Sequence, residues 1–140
     1  MNKICTTIEQ SKKLIKLGID INTSDMRYGY IAPYDFSDRM YDGGYDEVPY
    51  PKDFLLKNPN FSANEYDGEL PAWSLAALLG ILANETHNID DDGYIILSSY
   101  KGNWWNISPI NCISEEIKES NNPLDAAFEM VVWLKENWKI

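Results

Sequence analysis

The sequence predicts an α+β fold: three helices, one of them central and buried, packed on a small antiparallel sheet that contains a β-hairpin, with a long irregular acidic loop. Three observations lead there. Two capped segments at the ends of the chain carry apolar residues at helical spacing. A third, uncharged run lies in the middle, and a strand-rich segment with a Gly-Asn turn follows it. With 140 residues and 44% apolar composition the chain is long enough for one domain, residues 1–140, with its own core.

The first helix is predicted over Ile8 to Leu17. Thr6 with Glu9, and Thr7 with Gln10, both have capping-box spacing, so two registers can satisfy the first free amides. Ile8, Leu14, Ile15 and Leu17 form one face, Lys12, Lys13 and Lys16 the other, and Gly18 marks the end. Met26 to Ile31 alternates as a short strand does. From there to Glu69, prolines at 33, 49, 51 and 59 and the Gly43-Gly44 pair predict mostly loop, held by its own aromatics.

A second helix is predicted from Pro71, at the first helical position where its missing N–H costs nothing. The run Leu70 to Ala83 is uncharged but shorter than the ~20 residues of a membrane span, so it is assigned to the core. Gly80 within it signals close packing or an early end. Tyr94 to Tyr100 and Trp104 to Ile107 flank Gly102-Asn103 as a hairpin, and the strand near Met26 is expected to join its sheet. Residues 110–120 fit either a strand end or a short helix. The last helix opens with Asn122 as N-cap and Pro123, then places Leu124, Ala127, Phe128, Val131, Leu134 and Trp138 at helical spacing.

The net charge is −10, and residues 35–69 carry nine acids against three bases, more than half of that excess in a quarter of the chain. Such a balance argues against direct binding to nucleic acid phosphates or to an anionic membrane. The N-terminus lacks the apolar stretch of a secretory signal, so a cytoplasmic location is expected, with Cys5 and Cys112 as free thiols.

No catalytic residue, cofactor or metal is assigned. Asn88, Asp90, Asp92 and Gly93 match the opening of a calcium loop, but Ser99 stands where the closing bidentate Glu belongs, and a solvated turn explains them better. His87 with Cys5 or Cys112 would supply a base and a nucleophile, yet neither cysteine sits where a thiol pKa is lowered. Phosphate-binding glycine motifs are absent. The candidate partner-binding residues are Tyr41, Asp42, Tyr45, Asp46 and Glu47 in the acidic loop, and Trp104 and Trp105, of which strand alternation sends one outward.

Cys5 to Asp20 (CTTIEQSKKLIKLGID), Glu69 to Leu79 (ELPAWSLAALL) and Asn122 to Asn137 (NPLDAAFEMVVWLKEN) together resemble a group of small uncharacterised proteins of prophages and other mobile elements in Bacteroides-type gut bacteria. The likeness covers about a third of the chain. It implies a setting, not a reaction, and transfers no catalytic residue. The expected function is that of a non-enzymatic, protein-binding accessory protein of a phage or mobile element. The rivals are an acidic nucleic-acid mimic that inhibits a DNA- or RNA-binding enzyme, and a small hydrolase or carbohydrate-binding module using loop carboxylates and an exposed Trp.

Overall fold

The computed structural model describes residues 4–31, 44–51, 70–89, 94–100, 104–110 and 117–138. They form three α-helices and two three-stranded antiparallel sheets, an α+β architecture.

Helix α1 spans Ile8–Lys16. Of the two capping registers, Thr7 with Gln10 is the one used: Gln10 N–H donates to Thr7 Oγ1 (3.1 Å) and Thr7 N–H to Gln10 Oε1 (3.0 Å). Thr6 is left to make tertiary bonds, its Oγ1 accepting from Trp73 N–H and lying 2.7 Å from the Ser11 hydroxyl. Gly18, at φ +90°, closes the helix. Its N–H donates to the Ile15 carbonyl, and Ile19 N–H donates to Leu14 O, while Ile19 and Leu14 share the core, so polar and apolar parts of the stop coincide.

The first sheet has the order β2-β1-β3, with β1 at Met26–Ile31, β2 at Gly44–Pro51 and β3 at Leu70–Ala72. Strand β2 lies in the stretch predicted to be mostly loop, and it contains Pro49 and Pro51. Pro71, predicted to open a helix, sits instead in β3 opposite Arg27. The reason is the same in both cases: an edge strand has one side without a partner, so a residue lacking an N–H is tolerated there. The second helix, α2, begins four residues later than expected, at Leu75, and runs to Ile89. Ser74 caps it, its Oγ accepting from Ala77 N–H (3.2 Å). Asp25 in turn accepts from Ser74 N–H (2.9 Å) and pairs with its hydroxyl, tying the cap to the end of the preceding turn.

The second sheet has the order β4-β5-β6, with β4 at Tyr94–Tyr100, β5 at Trp104–Ile110 and β6 at Lys118–Ser120. The predicted hairpin is therefore present and longer than expected, and β1 belongs to the other sheet instead of joining it. Pro109 lies in the central strand, opposite Ile95 of β4 and beyond the three β5 residues, Trp105 to Ile107, that β6 pairs with, so on that side it has no strand neighbour.

Helix α3, Pro123–Trp138, is capped by Asn122, whose Oδ1 accepts from Leu124 N–H (2.9 Å). It is the most enclosed helix: Leu124, Ala126, Ala127, Phe128, Met130, Val131, Val132 and Leu134 are all buried. Helix α2 adds Leu78, Ile81 and Leu82 to the same core but exposes Ala76, Gly80 and Ala83, so the uncharged run is buried on one side only. Ile107 of β5 completes this core, with Ile95 and Leu97 of β4 packed against it. A smaller cluster of Cys5, Tyr28, Leu70 and Ala72 serves the first sheet. Among the described residues, no helix is long and apolar enough to cross a membrane.

Candidate functional site

In β4 and β5, alternation separates a core face from an outer face. The pairs Ile95 with Pro109 and Leu97 with Ile107 point to the core. On the opposite face Tyr94 is 46% exposed, Ile96 40% and Trp104 43%. Between these apolar ends lies a polar rung in which the Ser98 hydroxyl donates to Asn106 Oδ1 (2.6 Å). Of the two predicted tryptophans, Trp104 is thus the outward one, and Trp105 is half-buried.

The register makes this face unusual for a chain of net charge −10. Among the described residues, Glu119, opposite Asn106, is the one charge that it places there. The β4 sequence, Tyr-Ile-Ile-Leu-Ser-Ser-Tyr, has neither charge nor proline, and β4 is an edge of its sheet. The lysines, prolines and bulges that usually keep an edge strand from pairing with other chains are lacking. The first sheet differs, since its edge strand β2 carries two prolines and a register shift.

That shift is where the predicted carboxylates fall. Tyr28 pairs with Pro49 and Tyr30 with Tyr45, so Gly29 alone faces Asp46, Glu47 and Val48. Asp46 and Glu47 therefore belong to a bulged edge strand, not to an open loop. Tyr45 is half-buried against the smaller cluster, and the Lys12 ammonium lies 5.5 Å from its ring centroid, which gives this tyrosine a part in seating α1 on the first sheet. Tyr41 and Asp42 lie outside the described residues, as do the remaining acids of the 35–69 segment. So do Cys112 and the Asp90, Asp92 and Gly93 of the calcium pattern. His87 is exposed near the end of α2, whereas Cys5 is a buried free thiol.

Cys5 lies in a junction between the N-terminal segment, β1 and β3. Its Sγ is 3.7 Å from the Tyr28 hydroxyl, which donates to the Thr6 carbonyl (2.8 Å). Burial, and next the Cys5 thiol, push the Tyr28 phenol well above its ordinary value of 10.0; burial also pushes the Cys5 thiol above 9.0, the Tyr28 bond opposing and Asp25 reinforcing it. Both groups keep their protons in the folded chain at pH values where the unfolded chain releases them. Their contribution to stability is therefore complete below the ordinary values and is lost as pH rises from those values through the raised ones. In a Cys112→Ser background, the urea midpoint should hold steady around neutral pH and fall beyond about pH 9, with a smaller fall above pH 10 in Tyr28→Phe. A midpoint unchanged across that range would contradict the burial of the pair.

A concavity of about 510 Å³ lies between the turn after α1, one side of α2 and Lys135 of α3. Its carboxylates are Asp20 and Glu85, and neither was singled out from the sequence. The one signal in the sequence is Gly80, a glycine inside an otherwise apolar helix, which reads as close packing or an early end. Ile96 was likewise overlooked, because in the apolar run Tyr94 to Leu97 either isoleucine can face the core until the register is known. Among the described residues, no group of three or more His, Cys, Asp or Glu side chains is placed to hold a metal ion. Compared with protein-family models, curated proteins and solved structures, the chain matches none of them.

Proposed function

We propose that this chain is a non-enzymatic accessory protein that docks a partner protein on the outer face of its second sheet. The observation that carries the reading is the joint exposure of Tyr94, Ile96 and Trp104 on a face with almost no charge. Depletion of charge together with aromatic anchors is what distinguishes the centre of a protein interface from ordinary surface. Trp104 is the anchor, since a large rigid ring buries much area for little lost rotamer freedom. The acidic remainder of the chain disfavours nucleic acid and anionic membranes as direct partners. A place in a phage or mobile element is the setting suggested by the resemblance of its three helical stretches.

Photo-crosslinking in a lysate of the source organism tests this, with the reactive group placed at position 104 or, as control, at the exposed Ile21. Adducts should form from position 104 and not from 21, at several salt concentrations. Trp104→Ala should weaken capture of that adduct partner by about 2 kcal/mol, roughly thirtyfold, without lowering the melting temperature. Capture that is unaffected by Trp104→Ala and Ile96→Ser, or no specific adduct at all, would overturn the proposal.

A further inference from the structure

Gly80 stands within α2, where glycine destabilises a helix relative to alanine. Gly18 is the described glycine with positive φ, so Gly80 is not there for a left-handed backbone. Close packing does not require it either, because a Cβ built at Gly80 would meet nothing within 4 Å. What the missing side chain leaves open is the cavity of about 510 Å³, within the ~300–1,000 Å³ of small-molecule sites. A bare backbone facing open space of that size is the arrangement that lets a ligand approach a helix closely.

The lining states what such a ligand needs. Ile19, Ala77 and Ile81 form an apolar floor, and two of them, Ile19 and Ile81, belong to the buried core and are held firmly. Asp20 and Glu85 contribute carboxylates, and Lys135 an ammonium. Asp20 Oδ1 accepts from Asn22 N–H (2.9 Å), which fixes the carboxylate while using one of its several acceptor positions. The Lys135 side chain passes over Gly18, its Cε 3.7 Å and its Nζ 3.8 Å from where a Gly18 Cβ would stand, which places the ammonium at this end of the cavity. An ammonium has three donors and can serve a protein group and a ligand together.

We propose that this cavity binds a small zwitterion with an apolar side chain, the chemistry of a free apolar amino acid. The ligand ammonium meets Asp20 and Glu85, its carboxylate meets Lys135, and its side chain lies on Ile19, Ala77 and the backbone of Gly80. The site is independent of the outer face of the second sheet.

Titration of the ¹⁵N-labelled protein with L-leucine, followed by amide shifts, is the test. L-Leucine should saturably perturb amides within residues 18–23 and 77–85. Isopentylamine, which lacks the carboxylate, and 4-methylpentanoate, which lacks the amine, should bind about tenfold more weakly or worse. Gly80→Leu should abolish the response while leaving the melting temperature unchanged or higher, since its Cβ meets nothing within 4 Å and leucine is a better helix former than glycine. Lys135→Met removes only the ammonium and should bring leucine down to the level of isopentylamine, a comparison that stands even if Gly80→Leu fails to fold. Absence of saturable shifts with L-leucine, equal binding of isopentylamine by the native chain, or leucine binding that survives Gly80→Leu would each overturn the assignment.

Discussion

Trp73→Ala should destabilise the fold by about 3–5 kcal/mol, a large part of the ~5–15 kcal/mol that holds a domain of this size together. Trp73 is 0% exposed and lies in the short link between β3 and the Ser74 cap of α2. Its main chain makes two bonds with Thr6: Thr6 N–H donates to the Trp73 carbonyl (2.8 Å), and Trp73 N–H donates to Thr6 Oγ1 (3.1 Å). The Thr6 hydroxyl is also 2.7 Å from that of Ser11, which binds the junction to α1. On the far side the indole N–H donates to Thr23 Oγ1 (2.9 Å), and Thr23 in turn donates to the Asp20 carbonyl (2.5 Å). Alanine keeps the main-chain bonds but removes the ring, leaving a void at the point where the N-terminal segment, the short 3₁₀ turn at Ile21–Thr23 and α2 converge. Urea unfolding measures the loss. Trp73→Phe should cost much less, because it retains most of the volume and Thr23 is exposed enough to find water. A loss below about 1 kcal/mol for alanine would show that the ring is not the keystone of this junction.

Ile107→Ala should cost about 2–5 kcal/mol, while Ile96→Ala in the neighbouring strand should stay within about 0.5 kcal/mol. The two residues have the same side chain and lie in the same sheet on opposite faces. Ile107 is 0% exposed, pairs with Leu97 on one side and Lys118 on the other, and belongs to the main core beside α3. Ile96 is 40% exposed and leads away from it. Chemical denaturation of both variants tests the register itself, since slipping β4 by one residue would exchange the faces and bury Ile96. Comparable losses at both positions would refute the face assignment and remove the basis for docking at Trp104.

Where evidence in the sequence was local, it carried over into the fold. The α1 cap, its Gly18 stop, the Asn122-Pro123 start of α3 and the strand at Met26–Ile31 each depend on residues within a few positions of one another. The choice between the Thr6 and Thr7 registers did not, because Thr6 is claimed by Trp73, 67 positions away. Prolines misled for a related reason. Pro49, Pro51 and Pro71 carry the local signature of loops and helix starts, and their placement in strands follows from those strands being edges, a property of the whole sheet. Gly80 suggested close packing or an early helix end; the helix runs on to Ile89, and a Cβ at Gly80 would meet nothing within 4 Å.

The candidate surfaces divide in the same way. That one of Trp104 and Trp105 faces outward follows from strand alternation alone; that it is Trp104 depends on α3 covering the other side of β5. The acidic segment 35–69 could be counted from composition, but Asp46 and Glu47 in a bulged strand required knowing that β1 pairs with β2. By itself, then, the sequence determined the α+β class, three helices and the hairpin, because caps, periodicity and turn residues act over one or two turns of chain. The tertiary structure decided which strands share a sheet, which face of the hairpin is left open and where a cavity survives. Those outcomes depend on which distant apolar surfaces are buried together, and that free energy is shared by residues far apart along the chain.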